Sequence, residues 1–453
     1  MKDFNRKLLT LILPITFQQF MLALVSASDA MMLGIVSQDA LSAVSLAGQL
    51  TFVENLFLAA MSIGLSMLAA QYWGKRDKNS MEDIFAYVMK LTFLISFVFF
   101  GVSLFFPERL MKIFTSDYAL INHGVGYLRT VSLSFLLAGI SQIYLTILKN
   151  TGKAVVVMAV STFCVIVNIV LNAVFIFGLF GMPRMEVEGA ALATVISWAL
   201  EVAMCIVITH NSGRVKLRLN KILNINKVLR SDFLKYTMPI LGNQIVWGLG
   251  FTMYSVIMGH LGTDAVAANS IANIVKNLVV CFCIGLSNGG AIIVGNELGA
   301  GRLERAKLYG HKLTNVAIIY GIIAGIIMIL ISPIILNNIS LSDTSKNYLK
   351  WMIIICSLYM VAKSVNTTLI AGIFCAGGDS KFGFICDSIT MWCFSVPLGF
   401  IAAFVLNLPV LAVFSIINLD EVVKLPATFR NYKKYNWVND LTIKDVEYNK
   451  STL

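Results

Sequence analysis

The residue best placed for chemistry is Asp29, in the stretch Ser26-Ala-Ser-Asp-Ala-Met-Met-Leu-Gly34. It lies in a long apolar run, and no Lys or Arg occurs between Lys7 and Lys75. An aspartate at the centre of a membrane helix costs about 2.5 kcal/mol or more, so it faces a protein interior or a water-filled path and marks a functional site by default. Such an acid can take up a proton or hold Na⁺. Asn168 and Asn172, spaced i and i+4, share one helix face and add hard oxygen ligands. Thr194 adds a hydroxyl. Polar glue between neighbouring helices is the other use open to these three residues. Further intramembrane polar groups are candidates for a substrate cavity: Gln19, Glu54, Gln244, Trp247, Lys276 and Asp387. Glu54 or Asp387 would attract a cationic compound, and mutual neutralisation with Lys276 or Lys363 is the alternative. Asp420 and Lys424 are i and i+4 and can pair.

These residues need a membrane scaffold to position them. The chain has 453 residues, of which 58% are hydrophobic and 13% charged, against roughly 25% charged in a soluble chain. Apolar runs of about 20 residues recur throughout, which reads as an all-α polytopic membrane protein. Twelve spans are expected, at about 8–33, 43–72, 83–106, 121–148, 154–180 and 188–210, then 232–259, 266–298, 308–336, 346–375, 380–405 and 408–429. With the N-terminus in the cytoplasm, most Lys and Arg fall on the inner side, including Lys75, Arg76, Arg214, Lys221, Arg302 and Lys381, as the positive-inside rule requires. The net charge of +11 therefore speaks for membrane orientation and not for nucleic acid. The eight Cys lie in apolar spans and read as core residues.

The halves repeat. Pro14 pairs with Pro239 (239 − 14 = 225), and the same offset pairs Gln19 with Gln244, Gly34 with Gly259, Gly74 with Gly299 and Gly152 with Gly377. A six-span unit returns to its starting side, so the lobes are parallel repeats flanking a central cavity, an arrangement suited to alternating access. The expected divisions are an N-lobe over 1–210, a cytoplasmic connection over 211–231, a C-lobe over 232–430 and a cytoplasmic tail over 431–453. Pro14 and Pro239 are candidate kink points. The offset carries Asp29 to Tyr254, so the second lobe has no counterpart of the acid. Counted at 1.5 Å per residue, Asp29, Asn168, Asn172 and Thr194 all fall within about 6–18 Å of the outer end of the first lobe.

The sequence has no phosphate-binding loop of the G-x-x-x-x-G-K-[ST] type and no H-E-x-x-H, and His123, His210, His260 and His311 are scattered without metal spacing. A membrane-embedded enzyme is not expected.

The chain resembles the multidrug and toxic compound extrusion family of cation-coupled antiporters. The resemblance is carried by Pro14 with Asp29-Ala-Met-Met-Leu-Gly34, Gln71-Tyr-Trp-Gly-Lys-Arg-Asp77, Val294-Gly-Asn-Glu-Leu-Gly-Ala-Gly301 and Gly372-Ile-Phe-Cys-Ala-Gly-Gly-Asp379. It implies a monomeric plasma (inner) membrane protein with cytoplasmic termini, exporting lipophilic or cationic small molecules against H⁺ or Na⁺, with no other cofactor. It also implies that Asp29, Asn168, Asn172 and Thr194 form the coupling site. Some members carry an acid at the position of Asn172 or in the seventh span, where this chain has Asn243, Gln244 and Trp247. The alternative is a flippase of lipids or lipid-linked oligosaccharides from the same superfamily, for which Lys276, Lys363 and Arg129 would supply the basic groups.

Overall fold

The computed structural model describes residues 2–218, 227–339 and 341–442, with the side chains of 2, 3, 26 and 27 excepted. Lys221 of the inter-lobe connection and residues 443–453 of the expected tail lie outside them. Every regular element among the described residues is helical. Eleven helices are long and apolar enough to cross a bilayer: α1 (Phe4–Val36), α2 (Gln38–Lys75), α3 (Lys78–Phe105), α4 (Tyr118–Asn150), α5 (Ala154–Phe177), α6 (Glu186–Ser212), α7 (Lys227–Gly259), α8 (Thr263–Gly299), α9 (Leu303–Asn338), α10 (Asp343–Phe374) and α11 (Ser380–Val405).

The polytopic all-α architecture is as expected, and the twelfth span carries a turn within it. The twelfth span is broken into α12 (Val410–Ile417) and α13 (Asp420–Lys434). The Asn418 side chain donates to the Phe414 carbonyl at 2.8 Å and closes α12. Asp420 and Glu421 then place two acids in the first turn of α13, where the helix dipole favours them. Elsewhere the helix ends follow from local chemistry. Ser37 is extended (φ −166°, ψ 156°) and its Oγ accepts from the Ala40 amide at 3.0 Å, which separates α1 from α2. Near Pro14 the helix type changes: Leu8–Ile12 is a π turn, which accommodates a ring that cannot donate to the preceding turn. At Pro239 the helix runs on.

The chain forms two compact units, Phe17–Phe233 and Met1–Thr16 together with Leu234–Leu453. The division thus assigns the first 16 residues to the unit holding the C-terminal helices. Packing explains it. Phe4 meets the Tyr309 ring at 5.3 Å and Lys7 pairs with Glu297 at 2.6 Å. Gly285 and Gly289, four apart on α8, let α1 come close: a Cβ on Gly285 would lie 2.4 Å from the Thr16 Cα, and one on Gly289 would lie 2.7 Å from Ile12 Cγ1. Small residues at this spacing allow backbone approach between membrane helices. Conversely, Phe233 is fully buried against Tyr87, ring centroids 5.6 Å apart, in the other unit. A Gly289→Leu variant is expected to lose about 1–3 kcal/mol through overpacking, read as a lower melting temperature of the detergent-purified protein; an unchanged melting curve would show that this contact is loose.

Two segments expected as cytoplasmic loop or tail are docked in their described parts. Arg218 pairs with the fully buried Glu82 at 2.8 Å, and Val215 is buried. After α13, Trp437 is fully buried and stacks on Tyr432 at 5.6 Å, and Leu441 is buried as well. Hydrophobic burial holds this segment to its unit.

Candidate cation site

Two helices of the unit Phe17–Phe233, α1 and α5, bring Asp29, Asn168 and Asn172 together. One turn beyond Asp29 on α1 comes Leu33, and one turn beyond Asn172 on α5 comes Ile176. Both belong to a buried apolar cluster with Ala40, Val187 and Ala190, flanked by Tyr127. This cluster locks the C-terminal ends of α1 and α5 to the N-terminal end of α6, and so sets the helix faces that meet one turn away. Tyr127 also stands within electrostatic reach of Asp29.

There, Asn172 Nδ2 donates to Asp29 Oδ1 at 2.5 Å and to Asn168 Oδ1 at 3.2 Å. Asn172 is fully buried, Asn168 is buried and Asp29 is half-buried. A carboxylate only accepts, so the Asn172 amide must turn its nitrogen to Asp29. That leaves Asn172 Oδ1 buried and without a hydrogen-bond partner among the described residues. Buried polar atoms rarely go unpaired. The set of Asp29 carboxylate, Asn168 Oδ1 and Asn172 Oδ1 fits a proton on the acid or a hard monovalent cation among oxygens. Thr194 is not hydrogen-bonded into this group: its hydroxyl donates to the Ala190 carbonyl at 2.9 Å on its own helix.

The six residues expected at a substrate cavity do not share one environment. Glu54 is 1% exposed inside its unit and accepts from Ser96 Oγ at 2.9 Å. Asp387 is taken by Lys424 at 2.9 Å, and Lys424 also contacts Asp420 at 3.0 Å and Glu421 at 3.5 Å. The expected i,i+4 pair of Asp420 and Lys424 is therefore present, within a larger network. Lys363 joins it through Glu421 at 2.7 Å, and Asn366 Nδ2 donates to Glu421 Oε2 at 2.9 Å. Neither lysine-to-acid pairing considered from sequence, with Glu54 or Asp387 partnering Lys276 or Lys363, occurs. Lys276 instead stands 5.7 Å from the Phe251 ring, which stacks on Trp247 at 5.8 Å. Lys276 lines a small recess with Asn269, Asn273, Asn418 and Tyr254. Gln19 and Gln244 are half-buried.

Sequence reading passed over Gln18, Ser141 and Ser161. Gln18 Nε2 donates to Ser161 Oγ at 2.9 Å, and Ser161 and Ser141 each donate to Glu201, at 2.8 and 2.7 Å. The available signal was spacing: Gln18 precedes Asp29, and Ser161 precedes Asn172, by eleven residues, about three helical turns.

Long apolar helices, an internally repeated chain and a half-buried acid bonded to an asparagine define a multi-pass membrane transporter. The MatE family profile matches residues 14–174 and 239–401, two stretches whose starts are separated by the repeat offset (239 − 14 = 225). The chain belongs to the MatE family, whose members are transporters and not enzymes. It is 24% identical over 439 residues to the uncharacterized transporter YisQ of Bacillus subtilis (strain 168), covering 96% of each chain. It is 25% identical over 406 residues to the probable multidrug resistance protein NorM of Listeria innocua, covering 87% of each. Its fold is similar to that of a MOP superfamily transporter from Pyrococcus furiosus (TM-score 0.87, 17% identity, 96% of each chain). It is likewise similar to the Vibrio cholerae MATE transporter VcmN (TM-score 0.87, 13% identity, 96% of this chain and 99% of that one).

Proposed function

We propose that this protein is a monomeric plasma-membrane antiporter with cytoplasmic termini. It exports lipophilic or cationic small molecules by alternating access, driven by inward movement of H⁺ or Na⁺ bound at Asp29, Asn168 and Asn172, with Thr194 one helix away. The observation that carries this reading is the Asp29 carboxylate held in an apolar span by a single asparagine whose own carbonyl oxygen is left unfilled. Multidrug resistance in the names of several relatives supports the substrate class. Ion binding from outside favours the state that releases substrate, and linkage makes the effect reciprocal: substrate bound from inside lowers ion affinity by the same factor.

The test is transport by reconstituted protein with Na⁺ and H⁺ gradients imposed separately. Export of a fluorescent organic cation is expected to accelerate with one inward gradient. Dye movement indifferent to both gradients would end the antiport reading.

One observation favours the flippase alternative. Lys276 makes no ion pair among the described residues and lines a recess with three asparagines, a setting suited to a phosphate head group. Lys363 no longer supports it, being neutralised by Glu421. Translocation of a lipid-linked sugar in place of the dye would decide for that alternative.

A further inference from the structure

The unit that holds Asp29 contains a second buried polar layer. Gln18 and Ser161 lie eleven residues before Asp29 and Asn172 on the same two helices, which puts the layers about 16 Å apart at 1.5 Å per residue. Glu201 of α6 is at the centre of the inner one, 4% exposed. One carboxylate oxygen accepts from Ser161 and the other from Ser141. No lysine or arginine forms an ion pair with it among the described residues. Lys149 of α4 is the charge within electrostatic reach, and the other titratable groups around it are Cys164 of α5 and Cys205 of α6, with Tyr144 of α4 beside Cys205.

The orientation of the amide is settled by the chain of donors. The Ser161 hydroxyl gives its proton to Glu201, so its oxygen must accept, and Gln18 presents Nε2 to it. Gln18 Oε1 is then left buried without a partner among the described residues, on a side chain 2% exposed. A carboxylate, two hydroxyls and an unfilled carbonyl from four helices are gathered where hydrocarbon would otherwise surround a charge. Solvating an acid in this way, without a direct counter-ion, is costly unless a cation completes it.

We propose that Gln18, Ser141, Ser161 and Glu201 form a second monovalent-cation site, taking H⁺ or Na⁺, on the inner side of the Asp29 layer. With Na⁺, the serine hydroxyls rotate their lone pairs inward and Gln18 Oε1 completes an all-oxygen set. With H⁺, the proton comes from water, sits on Glu201 and is donated to a serine oxygen. The proposal goes beyond the antiport reading, since it assigns this lobe two cations in place of one.

The test counts bound cations on the purified full-length protein in detergent, in two arms: ²²Na⁺ by equilibrium dialysis, and proton uptake on an acid step followed with a pH dye. Glu201→Gln is expected to lose one cation per protein relative to wild type in at least one arm, and the arm that changes names the ion. Asp29→Asn is the reference for loss at the outer layer, and the double variant should lose both. A Glu201→Gln protein that matches wild type in both arms overturns the proposal. Should that variant fail to fold, Ser141→Ala/Ser161→Ala keeps the carboxylate and is expected to bind about 10-fold more weakly; wild-type affinity there overturns it equally. Because the count needs no transport, a failed antiport assay leaves it intact and distinguishable.

Discussion

An Asp29→Asn protein is expected to fold, insert and lose ion-driven export. Asparagine keeps the shape and an oxygen acceptor for Asn172 Nδ2, whose present contact to Asp29 is 2.5 Å, so the local packing of α1 on α5 has no reason to change. What it removes is the one charged ligand in the group. A charge-assisted interaction is worth about 1.5–3 kcal/mol, which corresponds to roughly 10- to 100-fold in ion affinity. The loss should appear as dye export no longer accelerated by either gradient, with a melting temperature at or above that of wild type, since a half-buried carboxylate without a counter-ion opposes folding. Full ion-driven export from a well-folded Asp29→Asn protein would show that coupling lies elsewhere, with Glu201 the next acid to examine in the same unit.

What could be read from sequence, and what could not, divides along one physical line. Features set by a single helix were legible. Asp29 stands out because the surrounding run has no local counter-charge; Asn168 with Asn172, and Asp420 with Lys424, are legible because i and i+4 meet on any helix. The repeat offset was legible because Pro and Gly positions are constrained by backbone geometry. Contacts between helices were not. Nothing in the spacing says that Lys424 reaches Asp387 on another helix or that Lys363 takes Glu421. The break at Asn418 was masked by the hydropathy of α12, a continuous apolar run up to the turn. The docked segment around Trp437 was masked by its flanking charges, because composition averages over residues while burial is decided one side chain at a time. Gln18 was missed beside its more conspicuous repeat-matched neighbour Gln19.

The network around Lys424 carries the largest expected effect on stability. Lys424 is 3% exposed and contacts Asp387, Asp420 and Glu421, while Lys363 pairs with Glu421 alone among the described residues. Replacing Lys424 with methionine keeps the stem's bulk but strands Asp387 and Asp420 without a direct cation. Removing one partner of a buried pair costs about 3–5 kcal/mol, because the remaining charge has neither water nor counter-ion. Lys424→Met is therefore expected to fall sharply in folded yield and melting temperature in detergent. The argument also predicts its own rescue. Lys424→Met with Asp387→Asn and Asp420→Asn removes the stranded charges and leaves the Lys363–Glu421 pair at 2.7 Å intact, so most of the lost stability should return, as it does when a buried ion pair is replaced whole and not halved. If Lys424→Met alone melted like wild type, the acids would have to be carrying protons already, and the network would be a set of neutral hydrogen bonds. If the triple variant stayed as unstable as the single one, the stem of Lys424 and its packing on α10 and α11 would be what holds α13 in place. The fluorescence-detected melting of these two proteins beside wild type separates charge from packing in the one part of the chain where the last span is broken.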